Sequence, residues 1–203
     1  MHSIIHFILF LYFAGALLVQ PALSGIYRHT DTGIVFPDRI GELEREETVT
    51  DYEPVYPGLG ISVGYNRPGI YVTIYIYTLG LKTVPPELDS PVLREHMRQA
   101  GDEIVTAGEL GYYHDVRRVS SGQLDWDTQQ DGISSLHACY TFRRSGRDRV
   151  SHLYLLALND HFIKVRSTYD SEQAETMEKI QREFLSGLSA VLKAACRGDA
   201  AAE

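Results

Sequence analysis

The residues best spaced for chemistry lie in the stretch 125–132, DWDTQQDG, where Asp125, Asp127 and Asp131 punctuate a polar segment. Carboxylates so spaced in a loop can converge on a hard divalent cation, and calcium is the cofactor this pattern suggests. The match to a calcium loop is partial. Gln129 occupies the third alternating position, Gln130 stands where a sharp-turn glycine belongs, and no bidentate Glu follows. The plainer reading is a solvated acidic loop. Trp126, the single tryptophan, sits between two of these carboxylates. It is either a ligand anchor or a ring folded down onto the body of the domain. Asp125 or Asp127 acting with His114 would supply the acid and base of a hydrolase, provided the fold brings them together.

A second candidate is aromatic. In IYVTIYIY, Tyr71, Tyr75 and Tyr77 alternate with aliphatic residues. One face of a strand would then carry rings able to bind a sugar, a peptide or another flat ligand, unless a helix covers them. Gly58, Gly60 and Gly64 lie in a strand-like run with no helix after it, so they do not form a phosphate-cradling loop. His137 and His152 fall on facing runs. Pairing residue 143 with 150 sets His152 opposite Thr141, about 13 Å of strand from His137 and too far to share a metal. Cys139 and Cys196 allow one disulfide, worth about 4 kcal/mol in the chain-entropy model. Two independent thiols are the alternative. No nucleophile elbow and no zinc or redox cysteine spacing is present.

The elements that must position these residues are legible by period. Residues 58–65 and 70–77 flank Asn66, Arg67, Pro68 and Gly69, a hairpin signal. A pairing of Tyr65 with Ile70 aligns Val63 with Val72 and Ile61 with Ile74, giving one aliphatic face. It also sets Tyr71 over Gly64 and Tyr75 over Gly60. Residues 40–46 suit a turn of helix and 48–53 a strand. Ser90 and Pro91 open an amphipathic helix through Leu93, Met97, Ala100 and Ile104. Residues 112–119 read as a strand, 120–132 as a polar loop, and 136–142 as an alternating strand. The run 153–158 is apolar throughout, which marks a central strand covered on both faces. After residues 162–169, Asp170 and Gln173 suggest a capping box for a long helix with a stripe of Met177, Ile180, Phe184, Leu188 and Val191. The fold expected is α+β: an antiparallel sheet with two main helices packed against it.

At 203 residues and 44% hydrophobic, the chain has the size and composition of one domain. Residues 4–19 form an apolar run followed by Ala22, Leu23 and Ser24, which reads as a signal peptide over 1–24. The expected organisation is then a domain over 25–193, a flexible tail over 194–203, and no membrane span after cleavage. A periplasmic or secreted location follows. The net charge of −8 disfavours nucleic acid and anionic membrane as partners.

The strand and helix order, with the ending LYLLALNDHFIKVRST before a helix, resembles the Mog1 and PsbP-like class of small α+β domains. The resemblance covers most of residues 34–192 and rests on topology without a diagnostic motif. It implies a non-catalytic binding or assembly factor and assigns no residue a role. Taken with the signal peptide, the function expected is an exported binding or assembly domain of the cell envelope, with a protein or small-molecule ligand. A hydrolase and a structural subunit of an envelope assembly are the alternatives.

Overall fold

Period-two alternation dominates the chain between residues 43 and 170, and the computed structural model turns it into one antiparallel sheet. The structure describes residues 19–21, 25–127 and 132–198. The proposed cleavage site therefore lies outside the described residues.

The main path of the sheet runs β1 (Val19–Pro21), β5 (Leu43–Asp51), β6 (Ile61–Arg67), β7 (Ile70–Tyr77), β11 (His161–Asp170), β10 (Arg147–Leu158), β9 (Ser134–Arg144) and β8 (His114–Asp125). Off this path β4 (Arg39–Ile40) pairs with β5, so residues 40–46 form a tight hairpin turning at 41–42 where a helical turn is expected. A small ribbon joins β2 (Tyr27–Arg28) to β3 (Val35–Phe36). Helix α1 spans Pro91–Glu109 and helix α2 spans Ala174–Arg197.

The helices cover opposite faces. Met177, Ile180, Phe184, Leu188 and Leu192 of α2 pack on Val63, Tyr65, Val72, Ile74, Tyr154 and Val165. Ala100, Ile104 and Ala107 of α1 join Ala138, Tyr140, Phe142 and Leu153, while Leu93 joins Tyr77, Leu155 and Phe162. Strand β10 thus feeds both cores, Leu153 and Leu155 to one side and Tyr154 and Leu156 to the other. Its apolar run has the meaning expected of it.

The central hairpin keeps its faces and changes its register. Arg67 pairs with Ile70, Tyr65 with Val72, Val63 with Ile74 and Ile61 with Ile76. The offset from the expected pairing is two residues, because Gly69, at φ +95°, closes a tighter turn with Pro68 alone. An even offset leaves every side chain on its own face. It does separate the tyrosines from the glycines: Tyr71 lies opposite Asn66, and Tyr75 opposite Ser62. The Glu46 side chain fills the space over Gly64.

Helix α1 begins as expected, with the Ser90 hydroxyl accepting from the Leu93 N–H at 3.3 Å. Glycine at position 101 admits the Tyr140 hydroxyl, which a Cβ would meet. Helix α2 departs from expectation at both ends. Asp170 makes no cap bond and a short 3-10 turn over Ser171–Gln173 precedes the helix. The carboxylate is instead engaged by Arg149 at 2.5 Å. At the other end the helix continues to Arg197 and stops at Gly198 in the left-handed region, so the tail expected from residue 194 is helical there. Strand β8 likewise extends through residues 120–125, where a loop is expected.

Candidate functional site

The α1 face of the sheet is only partly covered. Beyond the helix, Tyr71, Thr73 and Tyr75 of β7 stand beside Thr168, Arg166 and Lys164 of β11 in direct cross-strand register. Strands β9 and β10 add Phe142, Arg144 and Arg149, and Tyr113 enters from the segment before β8. All of these but Lys164 line a groove of about 370 Å³. Tyr71 is 58% exposed. Tyr113 is buried, stacked on Phe142 with ring centroids 4.1 Å apart.

The floor is polar and held in place. Arg166 Nε donates to Ser151 Oγ at 3.3 Å and its Nη2 donates to the Tyr113 hydroxyl at 3.2 Å. Ser151 Oγ in turn lies 2.9 Å from Thr168 Oγ1. Arg149 is paired with Asp170 as described, and Arg144 lies 6.0 Å over the Tyr113 ring. The lining contains three arginines and no carboxylate, in a chain of net charge −8.

Deeper on the same face, Lys164 is buried with Nζ 4.8 Å from the Tyr75 ring centroid and 5.4 Å from that of Tyr77. Burial lowers its pKa, and Glu103 opposes that shift. Burial raises Glu103 in turn. Tyr75 is pushed up to about 12, chiefly by burial. His96 reaches the Tyr77 hydroxyl at 2.5 Å and is held down to about 4, by burial first and then by Lys164. This network fixes the back of the aromatic face.

The structure thus unites Tyr71 and Tyr75 and removes Trp126 from their company. Trp126 is buried in the α2-side core, its Nε1 donating to Ser135 Oγ at 2.9 Å and its ring edge-on to Tyr154. Of the expected calcium ligands, Asp125 ends β8 and accepts from Ser134 Oγ at 2.6 Å. Asp127 accepts from Ser189 Oγ at 2.7 Å and from Lys193 Nζ at 3.0 Å. Asp131 lies outside the described residues. Among the described residues no three His, Cys, Asp or Glu side chains are grouped to hold a metal ion.

The hydrolase set does not assemble. His114 and Asp125 are the first and last residues of β8, separated by about 35 Å of strand. Cys139 and Cys196 are free, the first buried and the second exposed, so the disulfide is absent. The histidine register is also corrected. His152 pairs with Cys139, not Thr141, and His137 Nε2 lies 3.0 Å from His152 Nδ1. The hairpin turns on Ser145 and Gly146, both at positive φ, in place of the expected turn over 144–149, which moves the register by two residues.

Sequence reasoning missed Arg144, Arg149, Arg166 and Thr168. The signal was present in KVRST, where Lys164, Arg166 and Thr168 alternate with Val165 and Ser167. That spacing makes one polar face on a central strand.

The architecture is an antiparallel α+β sheet with a helix on each face. No protein-family model matches the chain, and no curated protein matches its sequence. Solved structures similar to it include cyanobacterial PsbP from Synechocystis sp. PCC 6803, at 12% identity and TM-score 0.49, covering 86% of this chain and 94% of that one. Mog1p, a Ran-binding protein of Saccharomyces cerevisiae, aligns at 11% identity and TM-score 0.38, over 90% and 94% of the two chains. A protein of unknown function from Pseudomonas aeruginosa, PA94, described as a putative regulator, aligns at 14% identity and TM-score 0.39, over 78% and 90%. The element order read from the sequence, an antiparallel sheet with two main helices, is met in the structure itself, and the similarity to these proteins is one of fold at low identity. No helix among the described residues is long and apolar enough to cross a membrane.

Proposed function

We propose that this chain is an exported, non-catalytic binding domain that takes its ligand on the Tyr71 and Tyr75 face of the sheet. Export is supported by the apolar run over residues 4–19 and the small residues that follow it. The observation that carries the binding reading is the groove itself. Tyr71 is exposed beside Tyr75, and across the floor the Tyr113 and Phe142 pair forms a second aromatic wall. Rings held by packing on rigid strands present contact area at little conformational cost.

The test is ligand binding by the chain from Gly25, followed by calorimetry against a panel of aromatic acids, aromatic amides and short peptides. Tyr71→Ala removes an exposed ring, so binding should fall about tenfold or more while the melting temperature stays within a few degrees of the parent. A ligand whose affinity is indifferent to Tyr71→Ala and to Thr168→Val would move the binding surface elsewhere.

A further inference from the structure

Resting on the reading of this groove as the binding site, we infer that its ligand is a small aromatic carboxylate, held by Arg166 and flanked by Arg144 and Arg149. Arg166 stands at the centre of the groove floor. A guanidinium has five N–H groups in a planar fork. One goes to Ser151 and one to Tyr113. The three left have no acceptor among the described residues, and two of them sit on Nη1 beside the remaining N–H of Nη2. Two parallel N–H groups on adjacent nitrogens match the two oxygens of a carboxylate.

The guanidinium is also prevented from turning away. Ser151 and Tyr113 hold it from two elements, and its carbon lies 5.7 Å from the Tyr113 ring centroid. An anion arriving there meets a donor already oriented, which lowers the cost of ordering the site. Arg144 is exposed at the turn of the β9–β10 hairpin and lies over the Tyr113 ring at the mouth of the groove. Arg149 shares its charge with Asp170. Glu103 lies within electrostatic reach of Arg166. The groove is therefore positive without being strongly so, which suits a single carboxylate.

The body of the ligand follows from the walls. Tyr71 is the exposed ring and Tyr75 stands half-buried beside it, while the buried pair of Tyr113 and Phe142 closes the far side, so a flat apolar group stacks on Tyr71. The volume of about 370 Å³ is at the lower end of small-molecule sites and is small for a protein interface. The net charge of −8 makes the exception clear: long-range attraction of anions is weak here, so recognition depends on the local guanidiniums.

Isothermal calorimetry on the chain from Gly25 decides the point with four probes: phenylacetate, phenylacetamide, phenyl phosphate and a tetra-aspartate peptide. The expected result is that phenylacetate binds about tenfold or more tighter than its amide and tighter than the other two. Arg166→Lys, which keeps the charge and loses the fork, should weaken phenylacetate about tenfold while leaving the amide nearly unchanged. Because Arg166 also contacts Tyr113, each variant is melted to verify folding. Arg144→Gln, at an exposed turn, provides a second variant, expected to weaken the acid about threefold.

Equal binding of acid and amide, with both lost in Tyr71→Ala, overturns the carboxylate inference and leaves the binding face intact. Tighter binding of phenyl phosphate overturns the choice of carboxylate, and tighter binding of the peptide overturns the small molecule. Absence of binding by all four probes overturns both this inference and the choice of groove.

Discussion

His137 Nε2 and His152 Nδ1 face each other at 3.0 Å on the α2 side of the sheet, their rings nearly parallel at 19°. His152 Nε2 lies 2.9 Å from the Tyr169 hydroxyl and 3.9 Å from Cys139 Sγ, so this imidazole on β10 touches both neighbouring strands. A neutral imidazole has one N–H donor and one acceptor nitrogen, and protonating His152 turns its acceptor into a second donor, so its contacts must rearrange.

Acid should therefore unfold the protein through its buried imidazoles. His152 is held down to about 4 by burial and by His137, against 6.5 for the free group. His96 behaves alike. A basic group whose pKa is lowered on folding costs nothing at pH 7 and destabilises as pH falls from about 6.5 toward 4, because the unfolded chain binds the proton first. Denaturant unfolding at pH 7 and pH 5 should show stability falling by about 1 kcal/mol or more per histidine. His152→Gln should flatten that slope. An unchanged slope in His152→Gln would show that the pair does not control acid stability.

Replacing glycine at position 60 should be severe. Gly60 has φ +57°, and a Cβ there would overlap the Ile76 carbonyl oxygen of the neighbouring strand. Its N–H also donates to Glu53 at 2.8 Å. Gly60→Ala combines left-handed strain with a backbone clash and is expected to cost about 2 kcal/mol or more, read as a lowered denaturant midpoint. Gly146→Ala, with φ +77° and open space around it, separates the two effects and should cost about 1 kcal/mol.

The thiols should differ in rate. Cys196 is exposed and Cys139 is buried beside His152, at 3.9 Å from its Nε2. Burial raises both thiol pKa values, so neither is an activated nucleophile. A chromogenic disulfide reagent should label one equivalent in the native protein and two in denaturant, and reductant should leave the melting temperature unmoved. Two equivalents reacting at the same native rate would contradict the burial of Cys139.

Calcium should have little purchase on the acidic stretch. Asp127 is already neutralised by Lys193 and bonded to Ser189. Millimolar calcium is expected to leave both the melting temperature and Trp126 emission unchanged, and a shift in both would establish a site there. Asp127→Ala should cost about 1–3 kcal/mol, since it strands a half-buried lysine and frees the end of β8 from α2. Trp126, buried on the α2 side, should also stay silent when the groove on the other face is filled.

The sequence by itself determined which residues face inward. Side chains alternate with period two along a strand, so Val63, Tyr65, Val72, Ile74 and Val165 declared their face whatever their partners, and the two-residue error in the hairpin register changed none of them. The apolar run of β10 and the Ser90 cap are local in the same sense. What only the tertiary structure decided is which residues stand side by side. A two-residue shift of register in the β9–β10 hairpin carries His152 from Thr141 to Cys139 and into bonding distance of His137. The groove gathers Tyr71, Tyr113, Phe142, Arg149 and Arg166 from separate elements, and its opening depends on how much of the sheet α1 covers. Trp126 went into the core because Ser135, across the end of the β8–β9 pair, offered its indole an acceptor. Periodicity fixes the face of a residue, whereas register, strand order and helix placement fix its neighbours, and binding is a property of neighbours.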